Sequence, residues 1–294
     1  MVSPGKIPKS LLKCYKSLLS QSPQSRITFS KFIEVCRQPN GYFDNDFVKS
    51  SVFLDEIALK TPAEKESYVK SIAGSVDKYP LDFCKYKILP EIINGLEYSG
   101  LGVKALKAIL DIGTRLQADE FEKIIIPIIL RLYVSLDRAI RVALCEHLPL
   151  YISKLSESQI NDNIYINIVT GFQDTNPVIR EHTLKAVSLL APSLKVGTIN
   201  NSLLRFLAKL QVDQEPGIRT NTMVCLVKIG KFLQPSLRAK VLSTAFIRGL
   251  NDPFPHAKKA ALMGLEVSGD YFDSNDRAGK LIPNMIPLLI HPDL

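Results

Sequence analysis

The nine residues DTNPVIREH, at positions 174–182, decide the fold because their pattern returns at a fixed interval along the chain. Moving 39 residues on gives DQEPGIRTN, at positions 213–221, and a further 39 gives DPFPHAKKA, at positions 252–260. Each copy begins with Asp, has Pro three residues later and has a basic residue three residues after the Pro. One interval earlier, Arg141 keeps the basic position while the Asp and Pro are lost. A fixed period of this length is the signature of a repeat protein.

Each repeat is predicted to be a pair of antiparallel helices joined by this turn. Apolar residues follow the helical spacing i, i+3, i+4, i+7 before the turn, at positions 203–210, and after it, at positions 223–230. Pro177 and Pro216 fit the first turn of the second helix, where a missing N–H removes no hydrogen bond. The period therefore measures one helical hairpin.

Hairpins of this length cannot bury their apolar stripes alone, so the units are expected to stack into one continuous core. The predicted fold is therefore all-α, an α-solenoid of helical hairpins. Capping boxes are expected to begin two first helices, at Asp119 with Glu122 and at Ser156 with Gln159. The predicted units are 83–118, 119–156, 157–195, 196–234 and 235–273, with the first helix of a sixth unit at 275–291.

A two-helix unit of 39 residues with this turn resembles the HEAT repeat. In that family the Asp of one repeat and the basic residue of a neighbour align as a ladder of ion pairs. The resemblance implies the same ladder here, with a structural role. Its members would be Asp174, Arg180, Asp213, Arg219, Asp252 and Lys258.

Composition places the chain among globular proteins without a membrane span. Of its 294 residues 46% are apolar, and no run reaches the roughly 18 apolar residues of a spanning helix. The N-terminal MVSPGKIPKS lacks the features of a secretory signal, so the cytoplasm is the expected compartment. Five widely spaced cysteines without a Cys-x-x-Cys arrangement favour buried reduced thiols over disulfides or zinc.

Basic residues are concentrated in part of the repeat region. Residues 201–250 hold eight basic and two acidic residues, within a chain of net charge +8. Such a segment could bind RNA phosphates or a partner, or it could be a solvated face with Arg219 engaged in the ladder. Aromatic residues are few there, so base stacking is not favoured. The candidate binding residues are Arg205, Lys209, Lys228, Lys231, Arg238, Lys240 and Arg248.

The residues before Phe83 do not follow the repeat. IPKSLLKCYKSLLSQSPQSRITFSKFIEVCR, at 7–37, resembles the last helices of a protein-kinase C-lobe, with Pro23 and Arg26 between two helices. GYFDNDFVKSSVFLDEIALKTPAEKESYV, at 41–69, resembles the connector to HEAT repeats in the Scy-like pseudokinases. The repeats resemble that family as well, notably GFQDTNPVIREHTLKAVSLLAPSL at 171–194. The implied domains are a C-lobe remnant at 1–38, a helical connector at 39–82 and a HEAT-repeat solenoid at 83–294.

No catalytic site is predicted. The Gly-rich loop, strand Lys, catalytic-loop Asp and Asp-Phe-Gly that phosphoryl transfer requires do not occur in the sequence. The four histidines are isolated along the chain, which favours packing or surface roles over a metal site. GLGVKA, at 100–105, faintly resembles a dinucleotide-binding loop, but no strand is predicted before it. We therefore expect no enzyme activity, cofactor or metal.

The resemblance to Scy-like pseudokinases implies a non-catalytic scaffold in COPI-linked retrograde transport from the Golgi to the endoplasmic reticulum. It implies coatomer, Arf-type GTPases and golgins as protein partners, and peripheral association with the Golgi or the ER–Golgi intermediate compartment. A different role, as an RNA-binding adaptor in nuclear tRNA export, is attributed to a fungal relative, and the basic segment keeps it open. The family's basic C-terminal tail, to which coat binding is attributed, does not occur in this sequence.

The last residues of the sequence are apolar where a solenoid normally ends in a polar cap. The first helix predicted at 275–291 has no second helix beside it in this sequence, and KLIPNMIPLLIHPDL, at 280–294, is apolar at its end. We therefore expect the natural array to continue beyond it.

Overall fold

The computed structural model describes residues 7–98 and 102–290, and in these ranges the fold is all-α, with no β-strand. This confirms the predicted fold class. In chain order the helices are α1 (Lys9–Leu18), α2 (Phe29–Arg37), α3 (Asp46–Asp55), α4 (Pro62–Ala73), α5 (81–98), α6 (Gly102–Thr114), α7 (118–133), α8 (Arg138–His147), α9 (159–173), α10 (Pro177–Leu190), α11 (198–210), α12 (Pro216–Ile229), α13 (Pro235–Leu250), α14 (Pro255–Val267) and α15 (274–290).

By compactness the chain divides into two units, Met1–Ile112 and Gly113–Leu294. The domain boundaries predicted at residues 38 and 82 rest on the family resemblance and stay a prediction. Each unit is described separately below.

The first unit begins with α1 and α2, which pack on each other. Between them Arg26 donates from Nε to the Ser20 carbonyl at 2.7 Å, so the predicted Pro-x-x-Arg motif forms a closed turn. Farther on, α3 and α4 are joined by a buried hydrogen bond of 2.6 Å between Ser50 Oγ and the Tyr68 hydroxyl. The Phe53 ring stacks on Tyr68 with 4.3 Å between ring centroids. Aromatic packing therefore holds this part together.

The second unit is a stack of helical hairpins. Its hairpins are α7 with α8, α9 with α10, α11 with α12 and α13 with α14, and α15 follows α14. The second helices, α8, α10, α12 and α14, pack successively on one another and form one layer, with the first helices in the other layer. Leu203, Leu226 and Phe246 are buried in the core that these layers share. The hairpins thus follow the 39-residue units of the sequence.

The second helices begin at the prolines that the repeat predicts. Pro177 starts α10, Pro216 starts α12, and Pro255, in the same register, starts α14. The predicted capping box before α9 is also present. Its two hydrogen bonds run from the Ser156 N–H to Gln159 Oε1 at 2.8 Å and from the Gln159 N–H to Ser156 Oγ at 3.2 Å.

The capping box predicted at Asp119 and Glu122 is wrong by two residues. Gln117 is the N-cap of α7, with an extended backbone, and its N–H donates to Glu120 Oε2 at 3.2 Å. Asp119 therefore lies inside the first helical turn rather than before it. The error arises because Asp is a far commoner N-cap than Gln, while the position of the turn is set by packing.

A wider π turn recurs in the first helices of the second unit. It occurs at Phe121–Ile125, Gln159–Ile164, Thr198–Leu203 and Arg277–Leu281. In α7 and α15 the turn is followed closely by Pro127 and Pro283, whose missing N–H breaks the regular α-helical bonding. α13 has no such turn and is regular over its 16 residues.

α15 exposes the apolar residues that the sequence places near its end. Ile282, Ile286, Leu289 and Ile290 are all exposed, Leu289 by 85% and Ile290 by 89%. The remaining residues of the predicted helix, from His291 on, lie outside the described part of the chain. Within residues 7–98 and 102–290, every helix is too short or too polar to cross a membrane.

GLGVKA, the stretch that resembles a dinucleotide-binding loop, lies partly outside the described residues. Its described part starts at Gly102, where α6 begins, so these residues form the first turns of a helix. The described part is therefore helical rather than a loop.

Candidate partner-binding surface of the repeats

Two ion pairs join successive repeats at the turns that carry the repeated Asp and Arg. Arg180 contacts Asp213 with Nε 2.8 Å from Oδ2 and Nη2 2.8 Å from Oδ1. Arg219 contacts Asp252 likewise, with Nε 2.6 Å from Oδ2 and Nη2 2.9 Å from Oδ1. The exposed fractions of these side chains are 13% for each Arg, 10% for Asp213 and 8% for Asp252. The Arg219 pair is bidentate, whereas Arg180 Nε lies near Asp213 without forming a hydrogen bond. Both pairs are largely buried, and they fix one repeat against the next.

The series of ion pairs changes at both ends. Asp174 pairs with Arg138, at 2.9 Å between Nη2 and Oδ1, and Arg138 is 56% exposed. Arg141, which keeps the sequence register, instead donates to Thr170 Oγ1 at 2.6 Å. Lys258 makes no ion pair with a carboxylate in the part of the chain that the structure describes. The ion pair of Arg138 was not predicted from the sequence, because Arg138 occupies the repeat position at which later repeats have Pro.

Each ladder arginine also closes its own turn. Arg219 Nη1 donates to the carbonyls of Asp213 at 2.8 Å and Gln214 at 3.3 Å. Arg180 Nη1 donates to the Asp174 carbonyl at 2.8 Å in the same way. One side chain therefore stabilises the turn of its own repeat and binds the carboxylate of the next.

The electrostatics of the turns keep the carboxylates ionised. Burial alone would raise the pKa of Asp252, but hydrogen bonds from Arg219 and from the Phe254 N–H outweigh it and lower the pKa. Asp174 has the same balance, with burial opposed chiefly by the Asn176 N–H, and its pKa is also lowered. The hydrogen bond to Asp252 raises the pKa of Arg219. The pair of Arg219 and Asp252 is therefore charged at neutral pH.

The candidate basic residues are spread over three helices and one turn. Arg205 and Lys209 lie on α11, Lys228 on α12, Lys231 in the turn after it, and Arg238, Lys240 and Arg248 on α13. All except Arg238 are exposed. The segment is therefore not one compact patch, since it occupies both first and second helices.

Arg238 is engaged within the protein. Its Nη2 donates to the carbonyls of Lys231 and Leu233, at 2.9 Å each. Its guanidinium lies over the Tyr271 ring, 4.6 Å from the centroid. These contacts tie the end of one repeat to the next, so Arg238 belongs with the structural residues rather than with the free cations.

A groove of about 390 Å³ lies between the first helices α11 and α13. Leu204 and Leu207 of α11 line one wall, Leu237 and Val241 of α13 line the other, and Leu226 of α12 lies at the floor. Leu237 is 40% exposed although it is apolar. An apolar groove open to solvent is a common form of protein-binding site.

Two cations border this groove. Lys240 and Arg248, both on α13, are exposed and have no carboxylate partner among the residues described. Arg248 is held in place because its Nη1 donates at 2.8 Å to Oε1 of Gln211, a buried residue of the facing repeat. Thr244 lies between the two cations along the helix. The groove thus combines apolar walls with uncompensated positive charge.

Burial weakens the acidity of the free thiols Cys145 and Cys225, and Cys14 and Cys36 contact each other. All five cysteines are free, and burial raises the pKa of Cys145 to about 12 and that of Cys225 to about 11. These thiols are therefore protonated at neutral pH. In the described ranges, no group of three or more His, Cys, Asp or Glu side chains has the geometry to hold a metal ion.

Two curated relatives and one solved structure illustrate the similarity of the chain to known proteins. No protein-family model matches the chain. It is 35% identical over 287 residues to the probable inactive serine/threonine-protein kinase scy1 of Dictyostelium discoideum, covering 98% of this chain and 34% of that protein. It is 36% identical over 156 residues to cytoplasmic export protein 1 of Saccharomyces cerevisiae, covering 52% of this chain and 20% of that protein. The crystal structure of Cex1p matches with a TM-score of 0.76 and 27% identity, over 98% of this chain and 57% of that chain.

The stacked hairpins and these relatives define the class of protein, which is a non-catalytic scaffold of helical repeats. Over the region that it shares with them, the chain resembles the Scy-like pseudokinases. It spans about a third of the length of the Dictyostelium relative. That relative is named an inactive kinase, and the motifs of phosphoryl transfer do not occur in this sequence.

Proposed function

We propose that the chain gathers trafficking proteins as a scaffold in COPI-linked retrograde transport from the Golgi to the endoplasmic reticulum. The observation that carries this proposal is a stack of hairpins held by inter-repeat ion pairs, with an open apolar groove between two first helices. An array of this kind offers an extended docking surface. The resemblance to the Scy-like family supports the trafficking role.

The proposed partners are coatomer, Arf-type GTPases and golgins. The proposed location is the cytoplasm, with peripheral association at the Golgi or the ER–Golgi intermediate compartment through these protein partners. Several partners could be held at once because successive repeats present separate surfaces.

The test is a pull-down in which the immobilised chain, residues 1–294, is offered purified coatomer, an Arf-type GTPase in each nucleotide state, and golgin fragments. We expect at least one of them to be retained by the folded chain and not by the heat-denatured chain. Retention of none of these proteins would contradict the trafficking role.

A second candidate function is an RNA-binding adaptor in tRNA nuclear export. It is favoured by the exposed cations Arg205 and Lys209 on α11 and Lys240 and Arg248 on α13. Phosphate contacts from such side chains would give salt-dependent binding with little sequence preference. The similarity to a protein named cytoplasmic export protein 1 supports this candidate.

This second candidate is tested by measuring tRNA affinity as a function of salt. Reversing the charge of Arg205, Lys209, Lys240 and Arg248 should weaken tRNA binding and flatten its salt dependence. Arg238 is left unchanged because its carbonyl bonds make it a structural residue. Unchanged tRNA affinity in the charge-reversed variant would remove the support for this function.

A further inference from the structure

The two first helices that border the groove differ in charge from the other first helices of the repeats. α11 and α13 contain no Asp or Glu, and the acid-free stretches extend over residues 183–212 and 216–251. α7, α9 and α15 each contain at least one acidic residue. The positive charge beside the groove is therefore not neutralised from either wall.

The groove is lined from both helix layers. Leu204 and Leu207 come from α11, and Leu237 and Val241 come from α13. The space between them leaves Leu226 of the second-helix layer as the floor of the groove. The groove therefore reaches from the first-helix layer to a buried residue of the second-helix layer.

The dimensions of the groove match a helix. Along α13 the lining runs from Leu237 to Arg248, which is about 16 Å at 1.5 Å per residue, or three helical turns. The cations Lys240 and Arg248 are about 12 Å apart along the axis by the same rise. A docked helix would meet them with carboxylates about two turns apart, and would face the leucine walls with apolar residues at i, i+3 or i+4, and i+7.

We infer that the groove between α11 and α13 binds an acidic amphipathic helix of a protein partner. This inference rests on the proposed scaffold function and names the chemistry of one partner segment. Apolar side chains of the segment fill the groove between Leu207 and Val241, and its carboxylates pair with Lys240 and Arg248. The bond between Arg248 and Gln211 holds the guanidinium at the rim before binding, which reduces the ordering cost.

The observations favour a protein segment over RNA as the occupant. The groove walls are aliphatic, and its lining contains no aromatic ring on which a base could stack. RNA phosphates would pair with the cations but would make no contact with the apolar floor of the groove. A peptide helix uses both features, since leucines and carboxylates alternate around it.

The test is selection from a phage-displayed library of random peptides of about 16 residues, long enough for a helix of four turns. The target is the full chain, and bound phages are counter-selected on the variant with Lys240→Glu and Arg248→Glu. Lys228→Glu, which makes the same charge change on α12 outside the groove, is the matched control. Each variant is checked for an unchanged thermal transition before use.

We expect enriched peptides with carboxylates about seven or eight residues apart on an apolar helix face. Their affinity, measured by fluorescence anisotropy, should fall about tenfold or more with the double groove variant and less than about twofold with Lys228→Glu. Leu237→Ser, which keeps the charges, should also weaken binding by several-fold. No enrichment, enrichment of peptides without acidic residues, or equal loss with Lys228→Glu would overturn the inference. Competition by tRNA that depends on Lys228 as much as on Lys240 would also overturn it.

The groove proposal and the proposed scaffold function can fail independently of each other. If coatomer, GTPase or golgin binds and the double groove variant retains it fully, the scaffold role stands and the groove is not its site. If the groove binds acidic helices while none of the trafficking proteins is retained, the groove stands and the trafficking role fails.

Discussion

The Arg219 side chain stabilises both the turn of its own repeat and the contact with the next repeat. Its Nη1 donates to carbonyls of its own turn, while Nε and Nη2 hold Asp252 of the next repeat. Because the pair is largely shielded from water, losing one partner leaves an uncompensated charge in a poorly solvated place. The repeated Asp and Arg are therefore a structural pair whose energetic importance depends on burial, and burial varies along the series.

The first prediction compares two pairs of the ladder. Asp252→Ala should lower the free energy of unfolding by about 2–4 kcal/mol, because Arg219 is left without its carboxylate. Arg138→Ala is the matched control and should cost less than about 1 kcal/mol, because Arg138 is 56% exposed and water replaces its partner. Urea titration followed by circular dichroism measures both. Equal losses in the two variants would show that burial does not decide the effect.

The second prediction concerns acid. The pKa of Asp252 is lowered in the folded state, so its ion pair contributes fully above the ordinary Asp value of about 4. The contribution is lost as the pH falls through the lowered folded-state pKa. Wild type should therefore lose more stability than Asp252→Asn between about pH 5 and pH 2, although it is the more stable protein at neutral pH. Parallel stability curves for the two proteins would refute this account.

At the scale of elements, two glycines allow the last helices to approach one another. A Cβ at Gly264 of α14 would lie 2.6 Å from the Phe246 ring, and Phe246 is fully buried in α13. A Cβ at Gly249 would lie 2.8 Å from Ala261 Cβ. The contact between α13 and α14 therefore requires the absence of side chains at these positions.

The third prediction contrasts two glycines in helices. Gly264→Ala should lower the free energy of unfolding by about 1–3 kcal/mol, because Phe246 has no room to move aside. Gly217→Ala, in the first turn of α12 with open space around it, should raise stability by about 0.5 kcal/mol through reduced backbone entropy of the unfolded chain. Thermal melts of the two variants give opposite shifts if the account is right. A loss in Gly217→Ala would contradict it.

At the scale of the whole molecule, the second unit depends on contacts between neighbouring repeats. α12 lies between α10 and α14 in the second-helix layer, whereas α15 packs on α13 and exposes Ile282, Ile286, Leu289 and Ile290. In a repeat array, each element is stabilised mainly by its neighbours on both sides. Stability is therefore expected to fall from α12 towards α15.

The fourth prediction follows from that gradient. In hydrogen–deuterium exchange, amides of α15 should exchange faster than amides of α12 by about two orders of magnitude or more, because local opening of α15 exposes less buried surface. Mass spectrometry of peptides from the two helices measures the difference. Equal protection of the two helices would indicate that the unit opens only as a whole.

The sequence predicts most of this fold because the same apolar spacing and the same turn residues recur in successive repeats. The positions of Pro177, Pro216 and the hairpins follow from the period alone. The Arg138 pair could not be predicted, since that arginine stands where the other repeats have Pro and not where they have their basic residue. The groove could not be predicted either, because it depends on how far α11 and α13 are separated, and apolar periodicity does not encode that distance.

The ladder also has a consequence for how such a chain can change in length. Each unit that carries both ladder residues has an Asp for the Arg of the preceding unit and an Arg for the Asp of the following unit. A tandem duplication of residues 196–234 would therefore create a new junction in which Arg219 of one copy meets Asp213 of the next. No compensating substitution is required for that contact. The turn first seen as DTNPVIREH makes the array tolerant of gene duplication in whole units of 39 residues, and intolerant of insertions of any other length in the helices.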